Sequence, residues 1–287
     1  MAVARGDSEH KQSRIIVAGF RRIRFSVNHR RRLNVERIAG GSSVPWNSSP
    51  QFWANFIERN FLKELSVLKE SVFDRLLPTF NRIDDESNSV AKAAWQSAND
   101  SCGPDADGFI AAERAEESGA DHYVMMVNVR QSLVNLFAVA LYHLVEQQQL
   151  ILIRRALIPM GSEEDDRWMK PFEFQAHLEI VGIRLAGRPS WEKLRELRLA
   201  ANIVKHAEGD SAEKLRKLRP EMFFAPSLRE NQIPASAGPP HSLYKPLSGE
   251  DFFVTADDLQ EYFGATEEFW NALVIKIRDT QPPPTTV

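Results

Sequence analysis

Three polar side chains in the C-terminal half of the chain stand at a spacing that places them on one helix face. Arg198, Asn202 and His206 are four residues apart within 194–206, where the apolar residues recur with a helical period. Each step of four residues turns only about 40° around a helix axis, so the three side chains form a row. A guanidinium, an amide and an imidazole in one row can hold a phosphate and move a proton. We therefore interpret Arg198, Asn202 and His206 as candidate catalytic residues.

The alternative for this row is a solvated basic surface without activity. His206 falls in the last turn of the predicted helix, where the negative end of the helix dipole stabilises a cationic side chain by itself. Residues 184–219 contain ten Lys or Arg against five Asp or Glu, a local balance of +5, which is typical of a surface that binds phosphate backbones. The basic residues that we predict to contact RNA are Arg195, Lys205, Lys214, Arg216 and Lys217.

A second polar group lies in the longest predicted helix, 121–158, whose apolar stripe is formed by Val129, Leu133, Leu136, Ala140, His143, Gln147 and Leu150. The stripe predicts that His143 and Gln147 face the core, with Glu146 beside them. Buried polar groups need hydrogen-bond partners. We therefore expect either a structural polar network or a histidine that supports the catalytic row from a facing helix.

Metal and cofactor sites are not predicted. Cys102 is the only cysteine, which excludes a cysteine-based zinc cluster and a disulfide framework. His143 and Glu146 stand in the reverse order to the Glu-x-x-His motif of a di-iron bundle. The acidic segment 103–108 has Gly103 and Arg114 where a calcium loop needs oxygen ligands at its first and twelfth positions, so we interpret it as a solvent-facing loop.

The segment 201–209 resembles the motif region of the HEPN superfamily of small helical bundles. Asn202 and His206 occupy the places of the Asn and His in that family's Arg-x4–6-His motif, and 142–147 is similar to the polar segment of a partner helix. The resemblance covers about 121–219. The family pattern places its arginine at 199, 200 or 201, whereas this chain has Leu, Ala and Ala there and Arg198 one residue earlier.

The resemblance implies an RNA-binding homodimer and a metal-independent endoribonuclease of a defence or toxin system. In that mechanism the ribose 2′-oxygen attacks the adjacent phosphorus. Arg198 would stabilise the charge on the phosphorane, His206 would act as general acid or base, and Asn202 would orient the phosphate, with His143, Glu146 and Gln147 in support. The alternative function is an inert helical scaffold or interaction domain, in which a buried His/Asn/Gln network fixes the helix register.

The elements that must position these residues are helical throughout. Strand patterns are scarce, so we predict an all-α helical bundle around one long central helix, in a single domain over 49–280. Ser190, Ser211, Thr255 and Thr266 are expected to cap helix N-termini, and Gly209 is expected to follow a helix C-terminus. The predicted helices run over about 51–77, 83–98, 121–158, 165–185, 191–207, 211–219, 256–263 and 267–278. A long loop is predicted over 222–250.

The net charge of −3 is unevenly distributed. Residues 1–40 carry ten Lys or Arg against three acids, a balance of +7, and we interpret 1–48 as a disordered basic tail. Contact with nucleic acid and a misplaced start codon are the alternatives for this tail. Residues 281–287 are predicted to be a second unstructured tail. Charged and amide residues interrupt each apolar run, so we expect a cytoplasmic protein without a membrane span.

Overall fold

The computed structural model describes residues 46–101, 108–158, 173–230, 238 and 242–279. Within these residues every regular element is a helix, which confirms the predicted all-α bundle. The longest helix, α4 (Gly108–Leu152), lies at its centre and confirms the predicted central helix. Residues 1–45 of the predicted tail 1–48 and the whole predicted tail 281–287 lie outside the described residues. Trp46 packs against the core, and the Asn47 backbone N–H donates to the Ala156 carbonyl at 3.2 Å.

The chain enters the bundle through a helical stretch with two wider turns. Helices α1 (Pro50–Phe56) and α2 (Lys63–Glu70) are joined by the π-helical segment Ile57–Leu62. A second π-helical segment, Ser71–Leu76, follows α2 and leads into the 3-10 turn Leu77–Phe80. The buried residues of this stretch include Trp53, Ile57, Phe61 and Leu65, spaced by four. In a regular α-helix, residues spaced by four shift around the axis by about 40° at each step, so they would leave the buried face. The π-helical turns hold more residues per turn and keep these side chains on one face.

Helices α3 (Ile83–Ser101) and α4 form an antiparallel hairpin with small residues at the contact. A Cβ atom on Gly119 would lie 2.9 Å from the Cβ of Ala91, so glycine permits the close approach. The predicted start of α4 at residue 121 is therefore wrong. Residues 108–120 are helical because they pack along α3. The spacing of apolar residues within α4 does not by itself specify this contact.

The buried face of α4 is not the face that the sequence indicates. Val134, Ala138, Leu141, Val145 and Leu152 are buried, whereas the predicted stripe faces outward. The exposed members of that stripe are Val129, Leu136, Ala140, His143 and Gln147. Both faces carry apolar residues at helical spacing, and only the positions of the neighbouring helices decide which one is covered.

The candidate row lies on α6 (Pro189–His206), which follows the short helix α5 (Phe174–Ile180). The predicted helix 165–185 ends at Ile180, and residues 165–172 lie outside the described part of the chain. Ser190 is not the N-cap, because the helix begins one residue earlier at Pro189, with Arg188 in the cap position. Proline suits the first helical position, where no backbone N–H is needed.

The C-terminal elements are α7 (Asp210–Leu218), a 3-10 turn Pro220–Phe223, α8 (Pro226–Glu230) and α9 (Ala256–Asp279). The N-termini of α7 and α9 differ in part from the predicted caps. Gly209 precedes α7 as its N-cap with a φ of 142°, and the residue after α6 is Ala207, with a φ of 58°. Gly209 therefore starts one helix instead of ending another.

Helix α9 confirms one predicted cap and overturns a second. The Thr255 hydroxyl accepts a hydrogen bond from the backbone N–H of Asp258 at 3.0 Å, as a helix N-cap does. Thr266 lies inside α9, and its hydroxyl donates to the carbonyl of Tyr262 at 2.7 Å. The helix continues through Thr266 because residues on both sides of it, including Phe263 and Trp270, are buried in the same core.

Candidate RNA-binding surface

The edge of α6 that lies beside α4 carries an aromatic residue and two cations at seven-residue spacing, namely Trp191, Arg198 and Lys205. Seven residues are almost two full helical turns, so the three side chains lie in line along the axis. Trp191 and Arg198 share a small pocket with Tyr142 of α4. The Lys205 ammonium lies 5.9 Å from the centre of the Tyr142 ring. We call Tyr142, Trp191, Arg198 and Lys205 the α4–α6 edge.

Tyr142 is held in this edge as a neutral phenol. Burial, the negative charge of Glu146 and a hydrogen bond to that carboxylate raise the pKa of Tyr142 well above its ordinary value, while the charge of Arg198 acts in the opposite direction. The ring is therefore an uncharged aromatic surface close to two cations, Arg198 and Lys205. Aromatic faces close to cations suit nucleic acids, because bases stack on the ring and phosphates pair with the charges.

The predicted catalytic row divides between different surroundings. Arg198 lines the small pocket beside Tyr142. Asn202 donates a hydrogen bond to the Ser211 hydroxyl of α7 at 3.3 Å. His206 lines a separate groove of about 660 Å³ between α4 and residues 244–248. The three side chains therefore have different neighbours, and their catalytic roles stay predictions.

The three supporting residues lie on the outer face of α4. The His143 side chain is 65% exposed, and its Nδ1 lies 3.7 Å from a carboxylate oxygen of Glu146. Its Nε2 lies 3.0 Å from the amide nitrogen of Gln147. The expectation that His143 and Gln147 face the core is wrong, since this face of α4 has no covering helix among the described residues. Glu146 is the member of the group that reaches the edge, through its hydrogen bond with Tyr142.

Ion pairs neutralise part of the basic segment 184–219. Arg195 pairs with Glu192 at 2.7 Å, and Arg216 pairs with Glu208 at 2.8 Å while its guanidinium lies over the ring of Phe223. The other predicted RNA contacts, Lys205, Lys214 and Lys217, are exposed. The sequence balance of +5 therefore overstates the free positive charge of this surface.

A buried ionic network beneath α6 was missed by the sequence analysis. Arg219 binds Glu196 at 2.5 Å and Asp258 at 2.6 Å, and it also pairs with Glu221. The Tyr262 hydroxyl donates to Glu196 at 2.9 Å. The network joins α6 to α9 and to the 3-10 turn after α7. The one available signal was Glu196, an acid at an inward position of the α6 pattern.

The electrostatics of this network favour the charged forms of its members. Burial raises the pKa of Asp258, but hydrogen bonds from Thr255 and Arg219 outweigh this effect and hold the pKa below its ordinary value. Burial lowers the pKa of Arg219, while its bonds to Glu221 and Asp258 raise the pKa above the usual range. We assign the network a structural role, because it fixes α6 and hence the α4–α6 edge.

No known protein family, curated protein or solved structure matches this chain. The resemblance of 201–209 to the HEPN superfamily therefore stays a prediction. Within the described ranges no group of three His, Cys, Asp or Glu side chains is placed to hold a metal ion. What the geometry provides is an aromatic and cationic edge on two packed helices, α4 and α6.

Proposed function

We propose that this protein binds RNA through the α4–α6 edge. The observation that carries the proposal is the closeness of two cations to the Tyr142 ring: Arg198 lines one pocket with it, and the Lys205 ammonium lies 5.9 Å from its centre. Both cations are exposed, and neither forms an ion pair with an acid of the described residues. Unlike Arg195 and Arg216, they are available to phosphates without breaking an existing pair.

The distance between the two cations suits contact with successive phosphates of one RNA strand. Arg198 and Lys205 are seven residues apart, which corresponds to about 10 Å along the helix axis. At this separation they contact different phosphates of one strand. Each phosphate contact releases condensed counterions, so binding should weaken as the salt concentration rises.

The test is the salt dependence of binding to a short single-stranded RNA, measured by fluorescence anisotropy. Wild type should bind, and Arg198→Gln and Lys205→Gln should each reduce the slope of log K against log[salt] by about 0.7. Arg75→Gln is the matched control, because Arg75 is exposed on the first helical stretch, away from the edge. A wild type that binds no RNA, or edge variants that match Arg75→Gln, would overturn the proposal.

The second candidate function is a protein-interaction scaffold, favoured by the uncovered apolar face of α4. Met125, Val129 and Leu136 are exposed on one side of this helix, and apolar surface of this kind often marks an interface. The partner we propose for this face is a second copy of the chain. Leu136→Glu should then shift a dimer toward monomer in analytical ultracentrifugation, while Ile275→Glu, at an exposed apolar site on α9, should leave the oligomeric state unchanged.

The hydropathy of α4 bears on the cytoplasmic location that we propose. The continuous helix Gly108–Leu157 contains an 18-residue window with a mean hydropathy of 1.5, of which 22% is buried. By length and composition alone this helix is able to cross a membrane, a test that the core helix of a soluble protein also passes. Flotation with lipid vesicles separates the two cases. A cytoplasmic protein stays in the dense fraction.

A further inference from the structure

A buried amide without a partner lies in the pocket at the α4–α6 edge. Gln149 on α4 is only 9% exposed, and its side chain forms no hydrogen bond with any residue that the structure describes. It lines a pocket of about 150 Å³ together with Tyr142, Val145, Trp191, Leu194, Arg195 and Arg198. Its amide atoms are not among the enclosed polar atoms that lack a partner, so they face the space of the pocket and are free to form hydrogen bonds with a ligand.

The neighbouring amide on α4, Gln148, is committed to the interior. Its amide nitrogen donates to a carboxylate oxygen of Glu64 at 3.0 Å, and its amide oxygen is enclosed without a partner. Gln149 instead lines the pocket beside α6, where its amide is within reach of a ligand.

The other walls of the pocket define the chemistry of the ligand. Val145 and Leu194 contribute apolar side chains to its lining, and Tyr142 and Trp191 contribute aromatic ones. Trp191 is held in place by the ring of Phe269, whose centre lies 5.8 Å from its own. Arg198 provides a positive charge at the same pocket. The combination suits a flat, partly apolar group with hydrogen-bonding edges and an attached anion.

We propose that this pocket binds an unpaired base of single-stranded RNA. The amide of Gln149 forms hydrogen bonds with the edge of the base, since it has both donor and acceptor groups. The rings of Tyr142 and Trp191 contact the base, and Arg198 pairs with its phosphate. The inference rests on the proposed RNA binding and adds that the strand must be single, because pairing in a duplex hides the base edge that Gln149 contacts.

The experiment compares Gln149→Leu with Gln96→Leu, the same substitution at an exposed position of α3. Affinities for a short single-stranded RNA, for the duplex of the same sequence and for nucleoside monophosphates are measured by anisotropy and calorimetry. Gln149→Leu should weaken single-strand binding about tenfold, as expected for one lost base contact, while Gln96→Leu binds as wild type. Thermal melting of both variants checks that the fold is retained.

A second readout does not depend on the stability of a variant. Ultraviolet crosslinking of wild-type protein to the single strand should attach RNA to the peptides that contain Tyr142 or Trp191. If wild type and Gln149→Leu bind the single strand equally well, the base pocket is overturned and the RNA-binding proposal stands. The same conclusion follows if wild type binds the single strand and the duplex with equal affinity. Failure of wild type to bind any RNA or nucleotide would overturn both.

Discussion

Asn135 and Val254 are joined by a hydrogen bond between a fully buried side chain and the backbone. The Val254 N–H donates to Oδ1 of Asn135 at 2.9 Å, and the Asn135 amide donates to the carbonyls of Pro246 and Phe252 at 2.8 and 2.9 Å. Gln131, one turn earlier on α4, donates both to Asn135 and to the Val254 carbonyl. This cluster attaches residues 246–254 to the central helix and so fixes one wall of the groove that His206 lines.

Truncating Asn135 should therefore destabilise the protein. Asn135→Ala leaves two carbonyls and one N–H buried without partners, and we expect the free energy of unfolding to fall by about 2–4 kcal/mol. Urea denaturation followed by circular dichroism measures the change. Asn128→Ala, an exposed position on the same helix, should alter stability by less than about 0.5 kcal/mol. Similar losses in the two variants would show that Asn135 does not hold the segment.

Two glycines should respond to alanine in opposite directions. Gly249 has a φ of +70°, and a Cβ there would lie 2.2 Å from Cγ of Gln131, so Gly249→Ala should cost about 2 kcal/mol or more through strain and overlap. Gly264 lies in the exposed interior of α9 with free space around it, so Gly264→Ala should stabilise by about 1 kcal/mol. Thermal melting of both variants checks the signs, and a stable Gly249→Ala would contradict the turn described here.

The ionic network around Asp258 should make stability depend on pH. The folded pKa of Asp258 lies below its ordinary value, so its contribution is complete above about pH 4 and is lost as the pH falls through the folded pKa. Asp258→Asn should lower stability at neutral pH by about 1–3 kcal/mol and flatten the acid limb of the stability curve.

Denaturation curves from about pH 3 to about pH 7 measure this effect. Asp257→Asn is the matched control, because Asp257 is an exposed neighbour in the first turn of α9. The control variant should keep the acid limb of wild type. If Asp258→Asn also keeps it, the titration that destabilises the fold belongs to another group.

RNA cleavage by the row Arg198, Asn202 and His206 has a direct test. If His206 is a general acid or base, wild type should cleave single-stranded RNA in EDTA, and His206→Ala should lose at least about 100-fold in rate. The melting temperature should change little, because His206 is exposed. Equal cleavage by both proteins would indicate a contaminating nuclease, and no cleavage by either would leave binding without catalysis.

Local signals in the sequence predicted several helix ends. The Thr-x-x-Asp pattern at Thr255 specifies its cap through contacts within four residues, and the structure confirms it. Thr266 is also followed by acidic residues but has Phe269 in place of the acid of that pattern. It lies in the middle of α9, because the burial of Phe263, Phe269 and Trp270 in one core outweighs the preference of threonine for a cap. The first case depends on neighbours in sequence, whereas the second depends on packing.

The candidate site shows the same division. The sequence by itself placed Arg198, Lys205 and Trp191 on one helix, because helical period is a local property. It did not place Tyr142 and Gln149 beside them, nor did it show that Arg216 and Arg219 are neutralised by Glu208 and Asp258.

The amino-acid sequence thus determined that the chain forms a helical bundle around one long helix. Only the tertiary structure decided which face of α4 is covered, and therefore that His143 faces solvent while Asn135 and Gln149 are buried. The physical reason is that two faces of one helix can carry the same apolar period. Which of the two faces is buried therefore depends on the contacts that α4 makes with α6, α9 and the first helical stretch.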